Sequence, residues 1–516
     1  MKVLFIARHF TYFRNFDGAI AVAAGRGHTL HLAADREEAQ GGRGLVDRLV
    51  ADLPGVTAGF TPVLQWGRYR RVASALRHGL DYLRYLDPRF DAAPRIRERA
   101  RERTPLGVLW LARRLGTRLA GRLLAWLEGG VPPQAGIREF LEAQRPDVVL
   151  ITPLVELGSP QLDYIRCAQQ MGLRTALCVW SWDHLSSKTL IRILPDRVLV
   201  WNEVQRAEAE AFHGVPGERV LVTGAQCFDH WFDRVPSRTR EAFCAALGLP
   251  PDRPVLLWVC SALFRGSPPE RDLVLRWITA VRASDDPVLR GASILVRPHP
   301  QRADEWTDGL GEAAHSGRPD AGVSVLWGGA PVTAGGRDDY FDSLYHAAAV
   351  VGLNTSALVE AAIVDRPVHT ILLPEYRENQ EGTFHFHHLL TVGDGCLEAS
   401  RDLHEHTQKL AATLHGAPGR SNHAFVERFI RPRGLEHAAS PAFVDAVEAV
   451  GLAARPAAAG TGASAVLARP LVYALTLAAR LPLAERLFWN QAKLAAHRAA
   501  PGSRPGQGGR HVSTEA

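Results

Sequence analysis

The stretch that decides the fold is Tyr345–His369, YHAAAVVGLNTSALVEAAIVDRPVH, which predicts a helix, a strand, a turn, a second helix and a second strand in close succession. Ala347–Leu353 is an uninterrupted apolar run of the length expected for a strand buried on both faces. The short polar side chains of Asn354–Ser356 can cap a helix, and Ala357–Val364 has helical composition. The stretch therefore predicts one unit of an α/β domain.

The turn at Asn354–Ser356 is also a candidate anion site. A helix that begins at the carboxyl end of a parallel strand presents unpaired N–H groups and the positive end of its dipole. Glu360 would lie one turn further along, where a carboxylate can accept a hydrogen bond from a ribose hydroxyl. The alternative interpretation is an ordinary helix cap, and other segments must decide between the two.

Length and composition predict a globular enzyme with two domains. The chain has 516 residues, of which 46% are hydrophobic and 22% are charged. Its six cysteines show no paired spacing, which predicts buried thiols in a reducing cytosol and no structural zinc. The amino terminus lacks the pattern of a signal peptide. The net charge of +6 comes from arginines that are not interleaved with aromatic residues, which favours a polyanionic or membrane-surface partner over a nucleic acid.

Strands and helices alternate along most of the chain. Val3–Ala7 predicts a buried strand, and the loop that follows it contains His9. No G-x-G-x-x-G motif follows, which argues against a dinucleotide in the first half. The alternation restarts at Val255–Cys260 after a linker with helical composition. The predicted fold class is α/β: two tandem Rossmann-like domains, over 1–235 and 236–435, with a deep cleft between them, then a helical extension over 436–500 and a disordered tail over 501–516.

A basic helical insertion is predicted within the first domain at about 69–130. Arg95–Leu127 carries two adjacent stripes, one of Leu111, Leu115, Leu119 and Leu123 and one of Arg114, Arg118 and Arg122. One interpretation is a helix that faces the core and exposes its arginines, and the other is an amphipathic helix on anionic lipid. Leu471–Leu494 also combines apolar residues with arginine, and its longest uncharged run is too short to span a bilayer.

A polar loop with two tryptophans, WSWDHLSSK at 180–188, follows the predicted strand Arg174–Trp180. Ligand sites of open α/β sheets lie at the carboxyl ends of strands, so this loop is expected to border the cleft. Two further segments belong to the second domain: Leu295–Pro300, which reads LVRPHP, and Asp365–Val368, which reads DRPV.

Together these segments resemble the two-domain, nucleotide-sugar-dependent glycosyltransferase fold called GT-B, over roughly residues 1–450. Within that fold they resemble the CDP-glycerol glycerophosphotransferases and related bacterial surface-polysaccharide transferases. In those enzymes the histidine of the R-P-H-P segment and the paired hydroxyl residues of the later turn bind the donor's phosphates. The resemblance thus implies donor-binding roles for His299, Thr355 and Ser356, with Arg297 and Asn354 beside them.

The same resemblance implies a catalytic base in the first domain. The relatives have a tryptophan-histidine-glycine loop with a lysine downstream, and its histidine is thought to be the base. Here the place is filled by Trp182, Asp183, His184 and Lys188, so the glycine is missing and an aspartate intervenes. Asp183 is expected slightly ahead of His184, because it directly follows the tryptophan, and His9 is the next candidate. Trp182 and Lys188 are expected on the acceptor side.

No metal or other cofactor is expected, because enzymes of this fold typically stabilise the leaving nucleoside diphosphate with helix-terminus N–H groups and basic side chains. On a strand, His385 and His387 would share one face, but no carboxylate or cysteine completes a metal set. The loop before them makes Glu381 and His385 candidate donor contacts, and Ser261 is a further candidate in the loop after Val255–Cys260.

The expected activity is metal-independent transfer of a glycosyl group from a nucleotide-sugar donor to a hydroxyl acceptor, a glycan or lipid-linked molecule, in cell-surface glycan or glycolipid assembly. The expected location is the cytoplasm, with contact to the inner face of the membrane. Three alternatives stay open: transfer of a polyol phosphate from CDP-glycerol, epimerisation of a nucleotide sugar, and a GT-B scaffold that binds without catalysis.

Overall fold

The computed structural model describes residues 1–37, 41–62, 69–306, 322–326, 334–417, 421–460, 462–491 and 493–494. The tail at 501–516, predicted to be disordered, lies outside these residues. The described strands form two separate parallel sheets, one of seven strands and one of six. The predicted fold class, α/β with two tandem Rossmann-like domains, is confirmed.

The first sheet is built from the amino-terminal half of the chain. Its strands are β1 (Lys2–His9), β2 (Thr29–Arg36), β3 (Val56–Phe60), β4 (Val148–Thr152), β5 (Arg174–Cys178), β6 (Arg197–Val200) and β7 (Val220–Val222). They lie in the order β3-β2-β1-β4-β5-β6-β7, and the direction of the strand order reverses between β1 and β4. Both faces of the central strands are buried, which explains their nearly continuous apolar sequences.

The second sheet repeats this plan with six strands. They are β8 (Val255–Val259), β9 (Ser293–Arg297), β10 (Val323–Val325), β11 (Ala349–Gly352), β12 (Val368–Ile371) and β13 (Leu397–Ser400). Their order is β10-β9-β8-β11-β12-β13, so the reversal falls between β8 and β11. The stretch that decides the fold therefore supplies β11 at the switch point of this sheet, where open α/β sheets bind ligands.

The described α-helices connect the strands and extend the chain beyond them. In chain order they are α1 (Asp17–Gly25), α2 (Gly42–Asp52), α3 (Arg70–Arg84), α4 (Pro94–Arg103), α5 (Leu106–Gly129), α6 (Ala135–Gln144), α7 (Leu162–Gln170), α8 (Glu203–His213), α9 (Asp229–Phe232), α10 (Arg240–Ala246), α11 (Glu270–Arg282), α12 (Pro287–Gly291), α13 (Ala334–Tyr345), α14 (Ser356–Ile363), α15 (Phe384–Thr391), α16 (Leu403–Leu414), α17 (Asn422–Phe429), α18 (Ala439–Leu452), α19 (Ala463–Ala478) and α20 (Pro482–Glu485).

The predicted basic helix Arg95–Leu127 is two helices, α4 and α5, because Pro105 interrupts the chain between them. The α4 arginines are engaged within the protein, since Arg97 pairs with Asp91 and Arg101 pairs with Glu98. Helix α5 faces the core with half of the predicted leucine stripe, because Leu111 and Leu123 pack against the apolar cluster whereas Leu115 and Leu119 are exposed. Its buried side chains are Val108, Ala112, Ala120, Leu124 and Leu127.

The carboxyl-terminal extension packs back onto the first domain. Phe443 and Val447 of α18 lie in the same apolar cluster as Val3 and Phe5 of β1. Val472 of α19 belongs to the cluster that holds α3 and α5 together. No helix among the described residues is long and apolar enough to cross a membrane.

Candidate functional site

A cavity of about 430 Å³ lies between the carboxyl edges of the two sheets. The first domain contributes the loop after β1, the start of α2 and the loop after β5. The second domain contributes the ends of β8 and β9 and the turn between β11 and α14. Because a switch point of each sheet faces this space, the cavity occupies the position where α/β sheets bind ligands.

The turn at the start of α14 forms part of the cavity wall. Thr355 is the N-cap of α14: its backbone is extended, and its Oγ1 accepts a hydrogen bond from the N–H of Ala357 at 3.4 Å. Ser356 is exposed to the cavity as the first residue of the helix. No acidic residue stands in the first turn, so the positive end of the helix dipole is not neutralised there.

Arg297 and His299 extend the same wall from the end of β9. Nη1 of Arg297 donates to Ser343 Oγ at 2.9 Å, which anchors the guanidinium against α13. Nδ1 of His299 accepts from the backbone N–H of Gln301 at 3.2 Å, so the neutral ring carries its proton on Nε2. Burial lowers the pKa of His299, helped by the nearby charge of Arg302. His299 is therefore a neutral N–H donor at neutral pH.

Glu360 lies one helical turn beyond Ser356, as predicted, and lines the cavity. Its carboxylate accepts a hydrogen bond from the hydroxyl of Tyr340, which also lines the cavity. Burial raises the pKa of Glu360 to about 7, although the Tyr340 hydrogen bond and Arg14 oppose the shift. This acid can therefore accept or donate a hydrogen bond at neutral pH.

Ser261 and Asn354 lie behind the cavity wall and hold the turn at the start of α14. Ser261 is fully buried, and its Oγ accepts a hydrogen bond from the backbone N–H of Asn354 at 3.1 Å. The Asn354 amide donates to the carbonyl of Asn379 at 2.5 Å. Neither side chain lines the cavity, so the structure places both predicted donor contacts in positions that hold the turn in place.

A buried acid that the sequence analysis did not predict also holds this turn in place. Glu270, at the start of α11, accepts hydrogen bonds from the backbone N–H of Ser261 at 2.7 Å and from Trp258 Nε1 at 3.0 Å. Burial raises its pKa to about 8. Its only sequence signal is an acidic residue directly after Pro269 at a helix start.

Asp183 and His184, the predicted bases, do not line the cavity. The Asp183 carboxylate accepts hydrogen bonds from Ser181 and Ser187 and pairs with Lys188 at 3.2 Å. Burial would raise its pKa, but Lys188 and the other partners outweigh burial and hold the pKa well below its usual range. A carboxylate in this state is a weak proton acceptor.

His184 is fully buried, with Nε2 2.7 Å from the carbonyl of Pro153 and Nδ1 accepting from the N–H of Trp180 at 3.3 Å. Burial lowers its pKa to about 4. Because both ring nitrogens are engaged with backbone groups, this histidine stabilises the loop between β5 and β6.

The remaining predicted residues divide between the cavity wall and its surroundings. Trp182 lines the cavity and packs edge to face on His385, with ring centroids 4.8 Å apart. His385 and Glu381 do not line it, and neither does His9, whose ring lies 4.4 Å from that of Tyr12. The prediction of a strand at His385 is wrong: the residue lies in α15, so His385 and His387 do not share a face.

Among the cavity residues that the sequence analysis missed are an acid and a histidine. Asp17 begins α1, and His230 lies in α9 near the end of the first domain. Desolvation raises the pKa of Asp17 and lowers that of His230, and each group's charge opposes the other's shift. The charges of the two groups therefore interact within the cavity. They are far apart in sequence and belong to no motif, so only the fold brings them together.

Among the described residues, no group of three or more His, Cys, Asp or Glu side chains is placed to hold a metal ion. Arginine dominates the charge of the cavity instead. Five arginines line it, namely Arg14, Arg48, Arg234, Arg297 and Arg337, against the two acids Asp17 and Glu360. Such a cavity attracts an anion.

No protein-family model matches the chain, and no curated protein matches it either. Solved structures match most of its length at low identity. The UDP-GlcNAc 2-epimerase of Methanocaldococcus jannaschii, in complex with UDP-GlcNAc and UDP, is 13% identical with a TM-score of 0.47, and the match covers 87% of this chain and 99% of that one.

Two transferases give similar values. A glycosyltransferase from Rickettsia africae is 9% identical with a TM-score of 0.49, over 88% of this chain and 99% of that one. The wall teichoic acid polymerase TagF is 9% identical with a TM-score of 0.42, over 87% and 89%. Likenesses this distant do not distinguish transfer from epimerisation, so the case for a function depends on the residues of this chain.

Proposed function

We propose that this protein transfers a glycosyl group from a nucleotide-sugar donor to a hydroxyl acceptor, with the donor diphosphate bound at the start of α14. The main support for the proposal is that one wall of the cavity between the sheets is formed by Arg297, His299, Thr355 and Ser356. The wall combines a helix amino terminus, a neutral N–H donor and a guanidinium, which are groups that bind phosphate oxygens.

The same groups suit the bond-breaking step. As the acceptor oxygen forms its bond to the anomeric carbon, the bond from that carbon to the diphosphate breaks and negative charge grows on the leaving group. The N–H groups of α14, Nε2–H of His299 and Arg297 stabilise that charge without having to move. Because protein groups supply this stabilisation, we expect turnover without an added metal ion.

The proton of the acceptor hydroxyl needs a base within the cavity. We propose that His230 accepts it and that Asp17 stabilises the imidazolium that forms. Both line the cavity, whereas Asp183 and His184 do not. The acceptor then occupies the side of the cavity formed by the first domain, where Arg14 and Arg48 favour an acceptor that itself carries negative charge. Assembly of cell-surface glycan or glycolipid would use an acceptor of this kind.

The wall fits any nucleoside diphosphate, so the reaction class must be tested directly. The protein is incubated with UDP-, GDP-, dTDP- and CDP-linked donors with and without a hydroxyl acceptor, and the released nucleotide is identified. Release of a nucleoside diphosphate that depends on the acceptor supports glycosyl transfer. Release of CMP from CDP-glycerol would replace the proposal with polyol phosphate transfer, and a changed sugar without an acceptor would replace it with epimerisation.

A further inference from the structure

An exposed apolar surface lies on the side chains of α5 and α19. Of the sixteen large hydrophobic side chains that are exposed among the described residues, ten lie on α5 or between Val466 and Leu487. They are Trp110, Leu115, Leu119, Val466, Leu467, Leu471, Tyr473, Leu477, Leu481 and Leu487. Because soluble proteins rarely concentrate exposed apolar side chains in this way, the surface points to a partner.

Helix α19 shows how incomplete the internal packing is. Only a narrow stripe faces the protein, with Ala468, Val472 and Thr476 buried at intervals of four residues. Leu467 is 72% exposed on the opposite side. The sequence from 463 to 484 contains no acidic residue. An apolar helix that has no acidic residue and buries one narrow stripe is suited to a second apolar environment.

The bend of α5 at Arg113–Leu119, called the α5 tip below, adds positive charge to this surface. Every residue from Arg113 to Leu119 is exposed, and Gly116 interrupts the helix there with a φ of 74°. Side chains other than glycine rarely adopt this φ, so Gly116 permits the bend. Arg114 and Arg118 form no ion pair with any described carboxylate, whereas the α4 arginines Arg97 and Arg101 do.

Helices α5 and α19 pack against each other although more than three hundred residues separate them in sequence. Trp126 Nε1 of α5 donates to the carbonyl of Ser464 at 2.8 Å. The N–H of Leu106 donates to the carbonyl of Trp489 at 3.0 Å. Val472 and Ala479 share an apolar cluster with Leu124. The apolar residues of α19 and the arginines of α5 are therefore held on one part of the molecule.

We infer that the α5 tip and α19 together bind the surface of a membrane that contains anionic phospholipid. The exposed leucines enter the boundary between headgroups and acyl chains, and the unpaired arginines meet the lipid phosphates. A membrane is favoured over a second copy of this chain as the partner. This surface has no acidic residues, so it could not pair with the arginines of a second copy. The inference is independent of the reaction in the cavity.

Flotation of the full chain with vesicles tests the inference. We expect flotation with phosphatidylcholine–phosphatidylglycerol vesicles at low salt, weaker flotation at high salt, and none with pure phosphatidylcholine. A basic residue near such a surface contributes about fivefold in affinity, so Arg114→Gln with Arg118→Gln should weaken binding about 25-fold. The matched control is Arg97→Gln with Arg101→Gln on α4, which removes the same charge and should leave flotation unchanged.

A second pair of variants tests the apolar contribution. Leu119→Ser with Leu471→Ser should reduce flotation, whereas Val235→Ser with Leu452→Ser, also highly exposed but outside this surface, should not. The inference is overturned if the full chain stays in the soluble fraction with anionic vesicles, or if the α4 control weakens flotation as much as the α5 pair. It is also overturned if Leu119→Ser with Leu471→Ser only converts a dimer into a monomer by light scattering. Circular dichroism and thermal unfolding, measured in parallel, show that each variant is folded.

Discussion

The carboxyl group of Glu270 accepts a hydrogen bond from the backbone N–H of Ser261, with 2.7 Å between Oε2 and N, and the Oγ of Ser261 accepts one from the N–H of Asn354. These two hydrogen bonds link α11, the end of β8 and the turn that starts α14. A buried acid thus fixes the position of the proposed phosphate site without contacting the cavity.

Glu270 should make stability depend on pH. Its pKa is about 8 in the folded protein, against a usual value of 4.5, so the folded state holds a proton that the unfolded chain has lost between these pH values. The free energy of unfolding should therefore fall as pH rises from about 5 to 8, by about 1.4 kcal/mol per pH unit from this group. Urea titrations of the wild type and Glu270→Gln at pH 5.5 and 7.5 measure the difference. Parallel pH dependences of the two proteins would contradict this assignment.

Removing a phosphate contact should weaken nucleotide binding. Loss of one charge-assisted hydrogen bond costs about 1.5–3 kcal/mol, so His299→Ala and Thr355→Ala should each raise the Kd for a nucleoside diphosphate at least tenfold by calorimetry. Thr355 also caps α14, and the control for that loss is Thr239→Ala, which removes the N-cap of α10 away from the cavity. Unchanged Kd values for both cavity variants would rule out the proposed phosphate site.

The proposed base predicts a separation of turnover from donor binding. His230→Gln and Asp17→Asn should lower kcat by about 10²–10⁴ at saturating donor and leave the Kd for nucleotide nearly unchanged. Asp183→Asn and His184→Gln are the comparison, because these residues lie outside the cavity wall. If Asp183→Asn and His184→Gln lose turnover at saturating donor while His230→Gln and Asp17→Asn keep it, the base lies in the loop after β5.

The wall proposed to bind phosphate could be predicted from the sequence because each of its parts is local. Arg297 and His299 follow directly on a strand, and Thr355 and Ser356 stand between a strand and a helix. Strand ends and helix starts converge at one edge of a parallel sheet, so recognising the elements was enough to place these side chains together.

The base and the surface helices depend on packing that local sequence does not encode. The burial of His184 follows from contacts with Pro153 and Trp180 across the sheet edge, and the presence of Asp17 and His230 in one cavity requires the start of α1 and α9 to come together. Leu115 and Leu119 are exposed next to the bend at Gly116, whereas Leu111 and Leu123 of the same stripe pack against the core. Helical periodicity assumes a straight helix and therefore could not show that the middle of the stripe is exposed.

The central claim is that a nucleotide-activated donor binds with its diphosphate at the start of α14. A crystal of the protein soaked with a nucleoside diphosphate that binds in solution tests it most directly. We expect phosphate density within hydrogen-bond distance of the N–H groups at the start of α14 and of His299 Nε2. Phosphate density elsewhere in the molecule, with this wall empty at saturating nucleotide, would contradict it.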